Sequence, residues 1–502
     1  LPLLWIRLGH WFYLSIDEGI YLEGARRIAR GQVPYRDFFV ITGPGSFWLY
    51  GAVFHFFGVS LANARLVLCC ELAALCAAVC WLAGRVTGAL FAAASGLLFL
   101  AMLLTTLYPL YITHRWDSNT FALVALAFVW AAHTSEAHGQ RWFTGAGVCA
   151  GIAAWITPPL LSVVLVLALW IALQAKSRRG LRLYAAGIAL PSAAAAVVLL
   201  YSGAFGSMVR SLVWDTSNYA TANRLAYGAL TGSFQSFWHA GSGLARNSVP
   251  RFLAAVVHFA DSILPALLPF LAALGCLVFL RPRSPLAPGK KSFLWLLAAG
   301  ALASLVACYP RFGAAQLLFG SAFFWALCSV SAGCLLPKCG QVVLAAAVFL
   351  VAGGAVFAGW PDDDLKRIET PAGDLKVSKR HHILLNDLLS TIRPGESLFV
   401  YPYLPALYFV LGGDNPTRYS WLQPGMMGPR EVQGALAELE TNPPRWIIRH
   451  DFTEDFILKN WPSSDRTRMQ FPEMERFLGG YYHVVNPDGV IAVGYRLLER
   501  NQ

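Results

Sequence analysis

The sequence ANARLVLCCELAALCAAVCWLAG, residues 62–84, decides the class of fold. Apart from Asn63, Arg65 and Glu71, every side chain in it is apolar or small. An α-helix needs about 20 such residues to cross the hydrocarbon core of a bilayer. The stretch therefore predicts a membrane-spanning helix, with one carboxylate and one guanidinium inside it.

The composition of the whole chain agrees with this prediction. Of its 502 residues, 56% are hydrophobic and 13% are charged, whereas soluble domains carry about 25% charged residues. Further apolar runs of spanning length lie near 89–108, 118–133, 142–157, 159–175, 183–201, 262–280, 292–309, 313–335 and 341–360. The sequence thus predicts an α-helical polytopic membrane protein. We expect Leu1–Ile6 to be the tail of a truncated first span, which gives about 11 spans; a cleaved signal peptide is the alternative.

Basic residues between these runs predict the orientation. They lie at Arg85, Arg141, Lys176, Arg178, Arg179, Arg182, Arg281, Arg283, Lys290, Lys291 and Lys338. With ten spans, all of these loops fall on one side, which the positive-inside rule makes cytoplasmic. The other side then receives residues 7–61, 109–117, 202–261 and everything after 360. We expect a bacterial plasma membrane protein with these segments outside.

The outer segments have patterns of their own. Residues 16–58 and 202–261 suit helices that lie outside the membrane or in its interface. After Trp360 the chain reads as a small extracytoplasmic α/β domain, residues 361–502, joined to residues 1–360 through Asp362–Asp364, a solvated linker. Strand-like runs occur at 397–401, 446–448 and 490–493, and helix-like runs at 384–392 and 431–440.

Several classes of function lack their signals. All ten cysteines lie at or before Cys339, with no CxxC pair, so neither disulfides nor a zinc or redox site is expected. The sequence Gly43-Pro44-Gly45 matches neither a P-loop nor a dinucleotide-binding pattern. The formal charge of +11 would suit nucleic acid, but its distribution over the loops of a membrane protein argues against that partner.

Two stretches near the start resemble a known family. Asp17-Glu18-Gly19-Ile20-Tyr21, then Gly31-Gln32-Val33-Pro34-Tyr35-Arg36-Asp37 and the run after Gly43-Pro44-Gly45, resemble the membrane glycosyltransferases of the GT-C superfamily, families 39 and 83. These include protein O-mannosyltransferases and aminoarabinose transferases. The tail stretch with Tyr408-Phe409 and Pro416-Thr417-Arg418-Tyr419 is similar to that of some members.

The resemblance implies a GT-C fold and transfer of a sugar from a polyprenyl-phosphate carrier to an acceptor at the outer membrane face, with inversion. It implies catalytic carboxylates at Asp17, with Glu18, and at Asp117. A positioned aspartate can take the acceptor's proton, and cations stabilise a departing phosphate. Arg36, Arg115 and Arg311 are the candidates to bind that phosphate. No cofactor is indicated, although the resemblance leaves a divalent metal ion open. The acceptor is unknown: a lipid, a polysaccharide or a protein.

Other readings stay open at this point. Ser15 and Glu18 fit a helix capping box, and Asp117 could cap the span that follows it. Arg115 could be an interfacial anchor. A polyprenyl-lipid flippase or transporter would also explain many spans and a charged cavity. Its binding site would be expected near the middle of the membrane, whereas the acids here lie in predicted outer loops.

Overall fold

The computed structural model is predominantly helical, with a small sheet near the carboxyl terminus. It describes the chain except residues 107–109, 136–138, 175–176, 231–248, 280–285, 359–364, 452, 486–493 and 502. The predicted strand at 490–493, the Asp362–Asp364 linker and the basic residues Lys176, Arg281 and Arg283 lie outside the described residues.

Sixteen helices are described before residue 359. They are α1 (Pro2–Leu8), α2 (Ile16–Ala29), α3 (Gly45–Phe57), α4 (Leu61–Ala83), α5 (Ala89–Thr105), α6 (His114–Thr134), α7 (Gly139–Ile156), α8 (Leu161–Leu173), α9 (Arg178–Tyr201), α10 (Phe205–Arg210), α11 (Thr216–Ala222), α12 (Val249–Phe279), α13 (Pro288–Ser304), α14 (Ala314–Phe319), α15 (Ser321–Leu335) and α16 (Lys338–Ala358). Short 3₁₀ turns at Pro158–Leu160 and Leu305–Cys308 and a π turn at Ser211–Asp215 connect neighbouring helices.

Within the described residues, each apolar run of spanning length falls mainly on helix, because hydrophobicity and helix capping are both local properties. Ser60 and Ser177, for example, accept hydrogen bonds from the backbone N–H groups of Asn63 and Gly180, at 3.2 and 2.9 Å, and so begin α4 and α9. The run at 313–335 is two helices that meet at Gly320, and not one. Among the described residues, three helices are long and apolar enough to cross a membrane: Leu61–Ala83, Arg178–Tyr201 and Pro288–Cys308.

The carboxyl-terminal segment contains the sheets. Strands β1 (Leu365–Thr370) and β2 (Gly373–Ser378) form an antiparallel hairpin. Strands β3 (Leu398–Tyr401), β4 (Trp446–His450), β5 (Tyr482–Val484) and β6 (Tyr495–Arg500) form one sheet in the order β3-β4-β6-β5, with β3 and β4 parallel. Helices α17 (Lys379–Thr391), α18 (Ala406–Leu411), α19 (Pro429–Thr441), α20 (Glu454–Asn460) and α21 (Pro472–Tyr481) accompany them.

This segment packs on the first loop, the predicted outer segment of residues 7–61. The backbone of Lys376 in β2 exchanges hydrogen bonds with His10 and Phe12, at 2.7 and 2.9 Å. Helix α18 lies directly against α2, where a Cβ at Gly19 would come within 2.1 Å of the backbone nitrogen of Ala406. The main hydrophobic core therefore runs without a break from the helices into this segment.

Candidate active site

The site begins in helix α2, where the neighbouring carboxylate side chains of Asp17 and Glu18 project in different directions. Ser15 caps the helix by accepting a hydrogen bond from the N–H of Glu18, at 3.1 Å. On an α-helix, successive residues project about 100° apart. The side chain of Asp17 is consequently exposed, while that of Glu18 is completely buried.

The Glu18 carboxylate is committed to a buried ion pair. It lies 2.8 Å from the guanidinium of Arg65 in α4, and it accepts the N–H of Ile112 at 3.1 Å. The predicted capping box is therefore only half formed, since Glu18 does not bond back to the N–H of Ser15. These contacts tie α2 to α4 and to the loop before α6, and they favour a structural role for Glu18 over the predicted catalytic one.

Asp17 is the carboxylate that remains accessible. The hydroxyl of Tyr111 donates to its Oδ2 atom at 3.1 Å. Arg311 lies within electrostatic range of Asp17, Tyr111, Tyr219 and Arg115. The structure thus brings together three predicted site residues from separate parts of the chain: Asp17 in α2, Arg115 in the first turn of α6, and Arg311 in the turn before α14.

The two arginines are held from behind by backbone carbonyls. Arg115 donates through Nη1 to the carbonyl oxygen of Ala307 at 2.6 Å, and its side chain lies within electrostatic range of Tyr219. Arg311 donates through Nη2 to the carbonyl oxygen of Asn460 at 2.9 Å. Such contacts fix the position of a guanidinium without neutralising its charge.

One hydrogen-bond donor of the Arg311 side chain is buried and unused. Its Nη1 atom is buried and has no hydrogen-bond partner. Burial lowers the pKa of the guanidinium, against the opposing influence of Tyr219 and Asp17. A buried donor without a partner costs free energy, and Arg311 lies within electrostatic range of a second guanidinium, that of Arg115, as well as of the Asp17 carboxylate. The cluster therefore has the donors and the excess positive charge to bind an anion.

Asp117 lies deeper, in the first turn of α6, and is fully buried. Ser46 donates a hydrogen bond to Oδ2, and Tyr50 donates to Oδ1 at 3.2 Å. Its carboxyl group also lies within electrostatic range of that of Glu71 in α4. Asp117 is neither an N-cap, since Thr113 holds that position, nor solvated. Asp117 thus connects α6 to α3 and α4. These contacts favour a role for Asp117 in holding the site together over direct contact with an acceptor.

The remaining predicted cation, Arg36, lies elsewhere. It is exposed and forms an ion pair with Asp37 at 2.8 Å, which lowers the pKa of that carboxyl. It also donates to the carbonyl of Ser202 at 3.2 Å. These contacts set Arg36 apart from Arg115 and Arg311, so its predicted role in phosphate binding lacks support.

Tyr111 and Tyr219 belong to the cluster but were not predicted as site residues. Both lie in segments predicted to be outside, which is the only signal the sequence offers for them. The described residues contain no group of three or more His, Cys, Asp or Glu side chains that could hold a metal ion.

Comparison with known proteins gives similarity of structure only. No family model matches the chain, and no curated protein matches it. Among solved structures, ArnT from Cupriavidus metallidurans bound to undecaprenyl phosphate is similar, with 14% identity and a TM-score of 0.45 over 99% of this chain and 96% of that one. The archaeal oligosaccharyltransferase AglB from Archaeoglobus fulgidus, in complex with an inhibitory peptide and a dolichol-phosphate, is similar at 12% identity and a TM-score of 0.46, over 99% of this chain and 71% of that one.

Both of these proteins are membrane glycosyltransferases of the GT-C fold. They belong to the superfamily that the first-loop motif resembles. With identities of 12–14% and TM-scores below 0.5, the likeness assigns neither a family nor an activity to this chain.

Proposed function

We propose that the protein is a membrane glycosyltransferase that moves a sugar from a polyprenyl-phosphate donor to an acceptor at the outer face of a bacterial plasma membrane. The observation that carries this proposal is the cluster of Asp17, Arg115 and Arg311, in which a buried arginine donor has no partner. An accessible base beside arginine donors that can bind an anion is what a transfer with a phosphate leaving group requires.

Asp17 and the two arginines, Arg115 and Arg311, have separate roles in the transfer. Asp17 takes the proton of the acceptor hydroxyl while the oxygen of that hydroxyl attacks the anomeric carbon of the sugar. The bond from that carbon to the phosphate oxygen breaks, and the phosphate keeps the electron pair. Arg115 and Arg311 bind the phosphate and stabilise the charge that develops on it. A single displacement of this kind inverts the anomeric configuration.

The rest of the proposal concerns the lipid and the topology. About 11 spans would place the cluster at the outer membrane surface, where a polyprenyl chain can stay in lipid while its phosphate reaches the arginines. The polyprenyl-phosphate class rests on the motif resemblance, and the solved structures named above were determined with undecaprenyl phosphate and with a dolichol-phosphate. Glu18 and Asp117 then act as buried supports.

The test compares the wild type with the Asp17→Asn variant in membranes that hold a panel of radiolabelled polyprenyl-phosphate sugars. The measured quantity is label that leaves the lipid fraction. We expect the variant to lose about 10²–10⁴-fold in rate, because an amide cannot accept the proton. Asp387→Asn, an exposed change in α17, is the matched control and should transfer at the wild-type rate.

Two outcomes contradict the proposal in different ways. Equal transfer by the wild type and by Asp17→Asn rejects Asp17 as the base. Movement of labelled lipid across the membrane, without transfer from any donor in the panel, rejects the enzyme and supports a flippase.

A further inference from the structure

One buried hydrogen bond connects the helix that carries Asp17 with the helix that carries Arg115. The hydroxyl of Tyr21 in α2 and the Nδ1 atom of His114 in α6 are hydrogen-bonded at 2.5 Å. Tyr21 is 4% exposed, and its ring centroid lies 5.5 Å from that of His114. Tyr21 belongs to the first-loop motif, yet the transfer chemistry described above gives neither it nor His114 a role.

Each partner of this bond lies next to a residue of the proposed site. Tyr21 follows Asp17 by about one turn on the same face of α2, and the two side chains are within electrostatic range of each other. His114 immediately precedes Arg115 in α6 and is within electrostatic range of it. The bond therefore connects the carboxylate and the guanidinium through one helical turn on one side and one peptide unit on the other.

Helix α3 supports both partners from a third direction. The ring of Phe47 in α3 packs on that of Tyr21, with centroids 5.0 Å apart. Asp117, which follows His114 by about one turn of α6, accepts a hydrogen bond from Ser46 of the same helix α3. The phenol and the imidazole thus meet where three helices come together.

A polar pair at this place fixes the two helices more narrowly than an apolar pair would. The hydrophobic effect is non-directional, so apolar contacts tolerate small shifts between packed helices. A hydrogen bond forms only over a narrow range of distance and angle, and a buried polar group that loses its partner costs free energy. The bond consequently favours one position of α2 relative to α6.

We propose that Tyr21 and His114 are a pair of positioning residues, which set the distance and angle between the base Asp17 and the phosphate-binding Arg115. The proposal rests on the proposed function and deepens it, because the pair acts through these two residues without touching the substrate. Misplacement of a reacting group by about 1 Å can cost ~100-fold in rate. Loss of the bond should therefore lower kcat far more than it weakens binding of the lipid phosphate.

The variants, made in the full chain and studied in nanodiscs, remove one partner or both. Tyr21→Phe and His114→Phe each leave the other group unpaired, and the double variant leaves neither unpaired. His114→Asn retains a polar amide near the place of Nδ1. Tyr184→Phe is the matched control, because the Tyr184 hydroxyl is also buried and donates to the carbonyl oxygen of Val164 at 3.1 Å. It lies in α9, which carries no residue of the proposed site.

Sugar transfer from a polyprenyl-phosphate sugar, thermal unfolding and binding of bare short-chain polyprenyl phosphate are measured for each protein. We expect Tyr21→Phe and His114→Phe to lose about 100-fold in kcat and to bind the bare lipid as the wild type does. His114→Asn should recover part of the kcat. The double variant should regain the melting temperature of the wild type, since two apolar partners leave no polar group unsatisfied, but it should not regain the kcat. Tyr184→Phe should melt earlier and keep the wild-type kcat.

Spin labels report the position of the two helices without any turnover. Arg30→Cys and Thr134→Cys place the labels at exposed positions at the carboxyl-terminal ends of α2 and α6. The exposed Cys70 and Cys339 are replaced by serine. We expect one narrow distance distribution when Tyr21 and His114 are intact, and a shifted or broader one in the double variant.

The outcomes separate failure of the positioning pair from failure of the proposed function. Recovery of both kcat and melting temperature in the double variant overturns the pair, because its only role would then be to satisfy two buried polar groups. An unchanged distance distribution in the double variant overturns it as well, as does an equal loss of kcat in Tyr184→Phe. If the wild type transfers no sugar from any donor, the proposed function fails, and the distance distribution still decides whether this bond sets the position of α2 on α6.

Discussion

At the scale of single residues, neighbouring carboxylates take different roles because burial differs. Asp17 is exposed beside Tyr111, and Glu18 is buried against Arg65. The first-loop motif singles out both, but only their environments separate an accessible base from a structural ion pair. The same holds for Arg311 and Arg36: Arg36 is exposed and paired with Asp37, whereas Arg311 has a buried Nη1 atom without a hydrogen-bond partner.

Titration of the Glu18 carboxyl should make the free energy of unfolding depend on pH. Burial raises its pKa from 4.5 to about 7, opposed by Arg65 and by the N–H of Ile112. Between these two values the folded protein binds more protons than the unfolded chain, so the free energy of unfolding falls as pH rises. We expect a loss on the order of 3 kcal/mol between pH 4.5 and 7.

Thermal unfolding in nanodiscs at pH 5 and pH 8 measures this loss. The Glu18→Gln variant, which cannot titrate at this position, is the reference and should show a smaller change in melting temperature. An identical change in both proteins would exclude Glu18 as the source.

At the scale of elements, α2 is positioned by the carboxyl-terminal segment. Arg26 donates to the carbonyl oxygen of Gly413 at 2.6 Å, and Arg27 donates to that of Thr417 at 3.1 Å. In the opposite direction, Arg418 of the carboxyl-terminal segment donates to the carbonyl oxygen of Tyr35, which follows α2, at 2.7 Å. Both arginines of α2 thus bond to backbone carbonyls of the carboxyl-terminal segment, so the position of the helix that carries Asp17 depends on residues some 400 positions later.

Gly19 is the closest point of that contact. An alanine there would place its Cβ 2.1 Å from the backbone nitrogen of Ala406, so α2 and α18 would have to separate. We expect Gly19→Ala to cost about 1–3 kcal/mol of stability and to lower sugar transfer, because Asp17 moves with α2.

The matched control is Gly479→Ala, in helix α21, where a Cβ would meet nothing within 4 Å. Thermal unfolding and transfer assays on both variants make the comparison. If both proteins melt at the same temperature, the packing of α2 on α18 is looser than described.

At the scale of the whole molecule, the orientation in the membrane is the main prediction. The positive-inside rule predicts that the amino-terminal end of α13, with Lys290, is cytoplasmic and that the carboxyl-terminal segment is outside. The substitutions Lys290→Cys and Ser390→Cys, each at an exposed position, measure this orientation. Each is made by itself in a protein in which the exposed Cys70 and Cys339 are replaced by serine.

A membrane-impermeant maleimide should label the cysteine at 390 in intact cells, and the one at 290 only after permeabilisation. The reverse pattern would place the Asp17 cluster on the cytoplasmic side and reject transfer at the outer face.

The sequence by itself determined where the long apolar helices and helices α17 and α19 run, because apolar runs, N-caps and prolines act over one or two turns; it did not predict the short helices α18, α20 and α21. It predicted the strands at 397–401 and 446–448 for the same reason, since β-branched and aromatic runs are local signals. It missed the β1–β2 hairpin, whose charged residues Lys366, Arg367 and Glu369 resemble a solvated linker. That hairpin is stabilised by pairing with residues near position 11, which no local pattern reveals.

Only the tertiary structure decided the composition of the site. The pairing of Glu18 with Arg65, the support of Asp117 by Ser46 and Tyr50, and the meeting of Asp17 with Arg311 all join distant parts of the chain. Charge and residue type made these side chains candidates. Burial and neighbours, which depend on how the helices and the carboxyl-terminal segment pack, determine which of them remains free to bind an anion or accept a proton.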